Sequence, residues 1–362
     1  LCDRCSLVQL LHTTSKEILY KNYWYESGIN LTMRSHLKKL VNMISNMLVS
    51  VDNKVSVLDI GCNDGTLLNF YSKNYEKYGI DPSQITRKIE KKKIKIIRDF
   101  FPLQKNKNKN FNKKFDLITS IAMFYDLDDP NSFVKKIKLH LKKKGIWIFE
   151  LSYLIDMLKL NSFDTICHEH LEYYSLTQID WIMSKVGLKI IDVEFNEING
   201  GSFAVTVCHK SNKIYKTSKI VNKILQLEIK KGLSNKKIFE LFSKKVHLFK
   251  SNFKDFLISS IKSGKKIFGI GASTKGNVIL QYCEIDKNLL PYIGEINPEK
   301  FNKFTPGSWI EIKQEDEILK MNPDLLLILP WHFKKFFLEQ KKYNKFNLLF
   351  PLPETHIVKS NE

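Results

Sequence analysis

From Lys54 to about Lys210, short runs rich in β-branched and aromatic residues alternate with stretches of helical periodicity. Val55–Ile60 reads as a strand leading through a turn into a helix from about Thr66. Tyr78-Gly79-Ile80-Asp81 ends a second strand, Ile94–Ile97 forms a third, Phe115–Ser120 a fourth and Gly145–Leu151 a fifth. Strands separated by helices require right-handed crossovers, so this pattern predicts a parallel α/β sheet. Two further strands, near Lys189–Phe195 and Ser202–Cys208, flank Asn199-Gly200-Gly201, a turn that favours an antiparallel hairpin. The segment from about Tyr153 to Ser175 follows the fifth strand and should lie at the carboxyl ends of the strands, where α/β folds place their chemistry.

Beyond Lys213 the pattern is helical as far as Ser263. Phe239, Phe242, Val246, Phe249, Phe253 and Phe256 recur at spacings of three and four, an apolar stripe expected to pack into a core. A second α/β segment opens at Lys266-Ile267-Phe268-Gly269-Ile270-Gly271, with later strands expected at Tyr292–Ile296, Leu325–Leu329 and Leu348–Phe350. Pro306-Gly307 and Asn322-Pro323 punctuate it as turns.

The length of 362 residues suits two or three domains. No apolar run approaches the ~20 residues that a membrane helix needs, so a membrane is not an expected partner. Six cysteines stand at 2, 5, 62, 167, 208 and 283 and, apart from Cys2 and Cys5, show no pairing pattern, which suits a reducing compartment. The chain opens on Leu1 without a charged-then-apolar signal segment, so a cytoplasmic protein lacking some upstream residues is expected. The net charge is +20, with its densest lysine run, Lys105 to Lys114, read as a loop tip. A basic face can bind nucleic acid, but no aromatic–basic module such as an RRM signature accompanies it. Lysines spread over most solvated faces, or a small anionic substrate, account for the charge without a polyanion.

The turn after the first strand is Asp59-Ile60-Gly61-Cys62-Asn63-Asp64-Gly65. A dinucleotide site would show G-x-G-x-x-G; here the spacing is G-x-x-x-G, with Asn63 at the middle position. A ligand without a pyrophosphate tolerates that change, and S-adenosylmethionine is such a ligand. Asp81, at the end of the second strand, can accept hydrogen bonds from a ribose diol. Asp99 and Phe100, after the third, can bond the adenine amino group and cover its ring. Five parallel strands closed by a hairpin is also the plan expected of the S-adenosylmethionine fold.

About a hundred residues downstream runs Cys167-His168-Glu169-His170-Leu171-Glu172-Tyr173-Tyr174. His168 and His170 are two apart, not the four of a helical zinc motif, so a metal site is disfavoured. Structural capping and buried hydrogen bonding are one alternative. General acid–base chemistry is the other, because His titrates near neutrality and an adjacent Glu can fix its tautomer. Carbon methylation needs such a base together with groups that stabilise an enolate, for which Tyr173 and Tyr174 are suited. A small-molecule O- or N-methyltransferase, or a nucleic-acid-binding or RNA-modifying one, are the competing functions.

The chain closely resembles the sugar C-methyltransferases of deoxysugar biosynthesis, which methylate carbon 3 of nucleoside-diphosphate 4-keto-6-deoxyhexoses. The resemblance rests on Cys2-x2-Cys5-x2-Val8-Gln9-Leu10, Tyr23-Trp24-Tyr25-x-Ser27-Gly28 and the glycine turn. It continues through Asp164–Tyr174, Asn199-Gly200-Gly201-Ser202, Gly271-Ala272-Ser273-Thr274-Lys275-Gly276-Asn277 and Leu326–Trp331. It implies three parts: the remnant of a zinc module in 1–30, an S-adenosylmethionine domain of class I Rossmann-like type in 31–210, and a helical linker with a second Rossmann-like domain for the nucleotide sugar in 211–362. It makes His170 the base, with Glu169, His168, Tyr25 and Tyr174 around it. Asp59, Gly61, Asn63, Gly65, Asp81, Asp99 and Phe100 become the cofactor residues, and Asn199 joins the substrate residues. Cys2 and Cys5 become half of a four-thiolate zinc site whose other pair should lie upstream. Two positions depart from the family: Cys167 stands where several members have Tyr, and Tyr125 where some have His. Both bear on the substrate more than on the reaction.

The second glycine turn, Gly269 to Asn277, has neither the third glycine nor the acid of an NAD site, nor the spacing of a Walker motif. Backbone amides at a helix start, with Ser273, Lys275 and Asn277, suit a diphosphate. A vestigial Rossmann turn is the other reading.

Overall fold

The computed structural model describes residues 1–21, 23, 25–48, 55–89, 94–103 and 111–360, so Trp24 and most of the lysine run from Lys105 lie outside the described residues. These residues form two mixed sheets of seven strands each and a two-stranded ribbon. They fall into two compact units. The first comprises Leu1–Leu154 and His168–Ser234, the second Ile155–Cys167 and Asn235–Glu362.

The first unit is built on β1 (Ser56–Ile60), β2 (Glu76–Ile80), β3 (Ile94–Ile97), β4 (Phe115–Ile121), β5 (Leu141–Ser152), β6 (Leu188–Asn196) and β7 (Ser202–His209). Their order is β3-β2-β1-β4-β5-β7-β6. The first five run parallel, and β7 is antiparallel to both its neighbours, which is the sequence expectation. The central strands are buried on both faces, as near-continuous apolar runs require. Helix Leu31–Met47 covers one face with Met33, Leu37, Leu40, Val41 and Ile44 against Val57, Leu68, Ile146 and Ile148. Each such burial is worth about 1.5–3 kcal/mol. Its start is capped by the Asn30 side chain, which accepts from the amides of Thr32 and Met33.

The order reverses between β1 and β4, so the loops leaving those two strands open a crevice at the carboxyl edge of the sheet. They carry Gly61–Gly65 and Ala122–Asp126. The register of β5 against β7 sets Ser152 opposite Ser202, which brings the Asn199 turn to the same edge.

The second unit is built on β8 (Ile267–Ile270), β9 (Tyr292–Glu295), β10 (Lys303–Phe304), β11 (Glu311–Gln314), β12 (Leu325–Ile328), β13 (Leu348–Phe350) and β14 (His356–Val358). They are ordered β10-β11-β9-β8-β12-β13-β14, with parallel strands between antiparallel edges. The helical stretch breaks at Gly232, whose left-handed backbone ends Lys219–Lys231 before Lys236–Lys262 begins. In the latter Val246, Phe249 and Phe253 of the stripe are buried in the second core, joined by Leu257, while Phe242 and Phe256 pack against it partly buried. No helix among the described residues is long and apolar enough to cross a membrane.

Candidate active site

In the first glycine turn Gly61, Asn63 and Gly65 all take left-handed φ, at +76°, +50° and +76°. Gly meets that demand without strain, and Asn is among the few residues that tolerate it. The amide of Gly61 donates to the Ile80 carbonyl at 2.8 Å, and that of Asn63 to Asp81 Oδ2 at 2.9 Å. Asp81 Oδ1 also accepts from the amide and hydroxyl of Ser83. Two oxygens with about four lone pairs leave room for one more donor beside these three. Asp59 is buried at the end of β1, where it accepts from the Thr119 hydroxyl at 2.7 Å. Burial, opposed by Thr119 and reinforced by the charge of Asp81, pushes its carboxyl up to about 7.

Asp99 holds the Phe100 amide with Oδ1, while its buried Oδ2 has no hydrogen-bond partner. That orphaned acceptor, just past β3, fits an amino donor such as the one on adenine. The glycine turn, Asp81, Asp99 and Phe100 therefore suit S-adenosylmethionine, with Asp59 behind the turn.

At the loop leaving β4 the His170 ring lies edge-on to Tyr125, with centroids 4.6 Å apart. Backbone bonds fix the segment: Leu171 donates to the Tyr125 carbonyl, and the Tyr173 hydroxyl donates to the His170 carbonyl at 3.1 Å. Glu169 is half-buried, and burial raises its carboxyl above the usual range against the pull of His168, which is itself exposed. Tyr174 is fully buried against Phe124, 5.2 Å between centroids, with its hydroxyl unpartnered, so it is a core side chain. Glu172 is buried too, and burial with the charge of Asp128 pushes it up to about 8.

Sequence reasoning did not single out Tyr20 or Asp126. Asp126, in the loop after β4, is raised well above its ordinary value, first by burial and then by Glu169 and Glu172, against the Tyr20 hydroxyl. Tyr20 and Tyr23 are raised above the usual phenol range mainly by burial, with Asp126 and Glu169 adding to both. Tyr25 follows Tyr23 at 6.4 Å between centroids, and burial pushes it up to about 12. Tyr20 and Tyr23 thus lie near both Asp126 and Glu169. A further unforeseen group is Glu150, a buried carboxylate in the apolar run of β5. It receives His36 Nε2 at 2.9 Å on both oxygens and Asn196 Nδ2 at 2.8 Å. A lone acid inside an apolar strand was the available signal.

Cys2 and Cys5 lie in the turn before Val8–Gln9, which pairs antiparallel with Glu172–Tyr173 and so buttresses the His170 segment. Among the described residues no group of three or more His, Cys, Asp or Glu is arranged to hold a metal. Two thiols alone do not complete a four-ligand zinc site.

In the second unit, Gly271–Lys275 and Leu329–Phe333 leave the adjacent strands β8 and β12 at that sheet's own reversal point. Asp164 is fully buried and accepts from the Trp331 indole at 2.8 Å, while its Oδ1 is unpartnered. Burial raises Asp164 and the Lys275 ammonium opposes it; burial lowers Lys275 and Asp164 opposes that. Ser273 caps helix Thr274–Tyr282, its hydroxyl oxygen accepting from Gly276, and Asn277 Oδ1 is buried without a partner. Asn199 takes a left-handed turn, φ +56°, between β6 and β7 in the first unit.

A sheet ordered third-second-first-fourth-fifth-seventh-sixth, with the seventh strand antiparallel and a glycine turn after the first, defines the class I S-adenosylmethionine-dependent methyltransferases. Residues 30–193 match the family model described as a methyltransferase domain, and residues 197–353 that described as a C-methyltransferase C-terminal domain. With one model on each side of residue 195, the chain is an S-adenosylmethionine-dependent C-methyltransferase. The C-methyltransferase NovU of Streptomyces niveus is 23% identical over 363 positions, covering 99% of this chain and 86% of NovU. Among solved structures, the Haloferax volcanii complex of a methyltransferase with its Trm112 activator is similar at 13% identity. It covers 50% of this chain and 94% of its own, with a TM-score of 0.41. A Clostridium acetobutylicum S-adenosylmethionine-dependent methyltransferase is similar at 16% identity, covering 48% and 89%, with a TM-score of 0.37.

Proposed function

We propose that this C-methyltransferase acts on carbon 3 of a nucleoside-diphosphate-linked 4-keto-deoxysugar. The observation that supports this most is His170, braced beside a raised Glu169 by Tyr125, whose loop leaves the strand next to that of the glycine turn. S-adenosylmethionine, when bound, supplies the electrophilic methyl group.

His170 takes the proton from the carbon next to the ketone, and Glu169 holds the imidazole in the accepting tautomer. The electron pair of the broken C–H bond moves onto the ketone oxygen as an enolate. Tyr25 is a phenol, protonated at neutral pH, and burial raises it further, so it can donate a hydrogen bond to that oxygen. Asn199, at the same sheet edge, is suited to a sugar hydroxyl. Lys275, Ser273 and Asn277 in the second unit take the nucleoside diphosphate, and the +20 charge favours its approach. Residues 1–30 are read as the end of a zinc-binding module with Cys2 and Cys5 as one ligand pair, followed by the cofactor part in 31–210 and the sugar-nucleotide part in 211–362.

The test is solvent exchange. Incubated in D2O with S-adenosylhomocysteine and a thymidine-diphosphate 4-keto-6-deoxyhexose, the protein should exchange the carbon 3 proton, and His170→Asn should not. A ketosugar that is methylated without any such exchange in the wild type would refute the proton-abstraction reading.

A further inference from the structure

Asn63 is where this chain departs from the dinucleotide spacing, and both ends of its carboxamide are bonded to other residues. Its Oδ1 accepts from the Ser27 amide at 3.0 Å, and its Nδ2 donates to the Tyr25 carbonyl at 2.8 Å. The next residue continues the pattern. Asp64 Oδ2 accepts from the Gly28 amide at 2.7 Å, while Oδ1 accepts from the Thr66 amide at 3.0 Å where the following helix begins. The approach at Gly28 is close: a Cβ there would stand 2.7 Å from Asp64 Oδ2 and 2.8 Å from Thr66 Oγ1. Even Glu26 is tied down, by Lys88 at 2.6 Å.

These demands account for the residue types. Position 63 needs left-handed backbone, an acceptor and a donor together, and Asn supplies all three. Gly would supply the backbone alone, and Asp would lack the donor. Position 28 needs the absence of a side chain. Tyr25–Gly28 and Gly61–Gly65, whose bonded groups stand 36 or 38 residues apart in sequence, are thus one hydrogen-bonded assembly.

We propose that Asn63 and Asp64 are positioning residues that clamp Tyr25–Gly28 onto the cofactor turn, so that cofactor binding and the order of that segment are energetically coupled. The segment carries Tyr25, which packs on Tyr23, and Tyr23 lies within range of the charges of Glu169 and Asp126. Order in the turn is thereby passed to the surroundings of the base. The inference rests on the turn being the S-adenosylmethionine site and is independent of the substrate's identity.

The experiment uses the whole chain, with S-adenosylhomocysteine as the only ligand. Amide hydrogen exchange is followed at residues 25–28, and affinity is measured by calorimetry. In the wild type the Ser27 and Gly28 amides should be protected, and the ligand should slow them further. Asn63→Gly keeps the turn, because φ of +50° suits glycine, and removes both side-chain bonds. Exchange at Ser27 should then accelerate by about ten- to a hundredfold, and the ligand's effect on it should vanish. By reciprocity, affinity should fall by the same factor by which the ligand protects the wild-type segment. Gly28→Ala pushes from the other side and should reproduce the loss of protection with the turn's side chains intact.

Unchanged exchange in Asn63→Gly, or a ligand that binds the wild type without altering residues 25–28, would overturn the coupling while leaving the cofactor assignment standing. A wild type that binds no S-adenosylhomocysteine would overturn both.

Discussion

Replacing Asp59 by Asn should remove a loss of stability that the wild type suffers as pH rises from about 4 to neutrality. The side chain is 3% exposed at the end of β1, and the Thr119 hydroxyl donates to its Oδ1. Its carboxyl titrates at about 7 when folded, against an ordinary value of 3.8. Between those values the folded chain holds a proton that the unfolded chain has released. Stability therefore falls as pH rises through the window, by about 1.4 kcal/mol per unit, and levels off above 7. From pH 5 to 7.5 the wild type should lose about 2–3 kcal/mol from this group alone. The carboxamide of the Asp59→Asn variant would keep an acceptor for Thr119 and carry no charge at either pH. Urea unfolding of both proteins at the two pH values isolates the effect, because titrating groups not coupled to Asp59 cancel in their difference. Between pH 5 and pH 7.5 Asp59→Asn should gain on the wild type by about 2–3 kcal/mol. A difference that does not change with pH, or that changes in the wild type's favour, would refute the argument. Retention of a carboxylate that costs this much is characteristic of a functional site.

Three further outcomes are expected. His170→Asn should lower methyl transfer by about 100- to 10,000-fold, the usual worth of a general base, with S-adenosylhomocysteine affinity on calorimetry unchanged. Lys275→Met should weaken binding of thymidine diphosphate by about 10- to 100-fold, the worth of a charge-assisted bond, again without touching S-adenosylhomocysteine. Phe253→Ala removes a fully buried ring stacked on Phe249 at 5.3 Å and should destabilise the second unit by about 3–5 kcal/mol in urea unfolding.

The sheet of the first unit was legible because buried parallel strands are continuous apolar runs and the hairpin announces itself in Asn199-Gly200-Gly201. Ile94–Ile97 and Leu348–Phe350 fall where the pattern puts them. Glu311–Gln314 was missed because an edge-side strand with one buried position has no apolar run to show, and Lys303–Phe304 is exposed throughout. At the site, the residue types could be read locally but their partners could not. Nothing in the spacing says that Asn63 answers to Ser27, that Asp126 faces Tyr20, or that Val8–Gln9 pairs with the residues after His170. Those contacts join distant stretches, and only the fold brings them together. The same holds for Asp164, which the motif presents beside His168 and which the structure sets against Trp331 and Lys275 in the second unit.

The most direct test of the central claim is the position of the transferred methyl. With S-adenosylmethionine carrying a carbon-13 methyl and a thymidine-diphosphate 4-keto-6-deoxyhexose, the NMR spectrum of the product should show the label bonded to carbon 3. A label on oxygen or nitrogen, or none transferred to any nucleotide-linked ketosugar, would contradict the account.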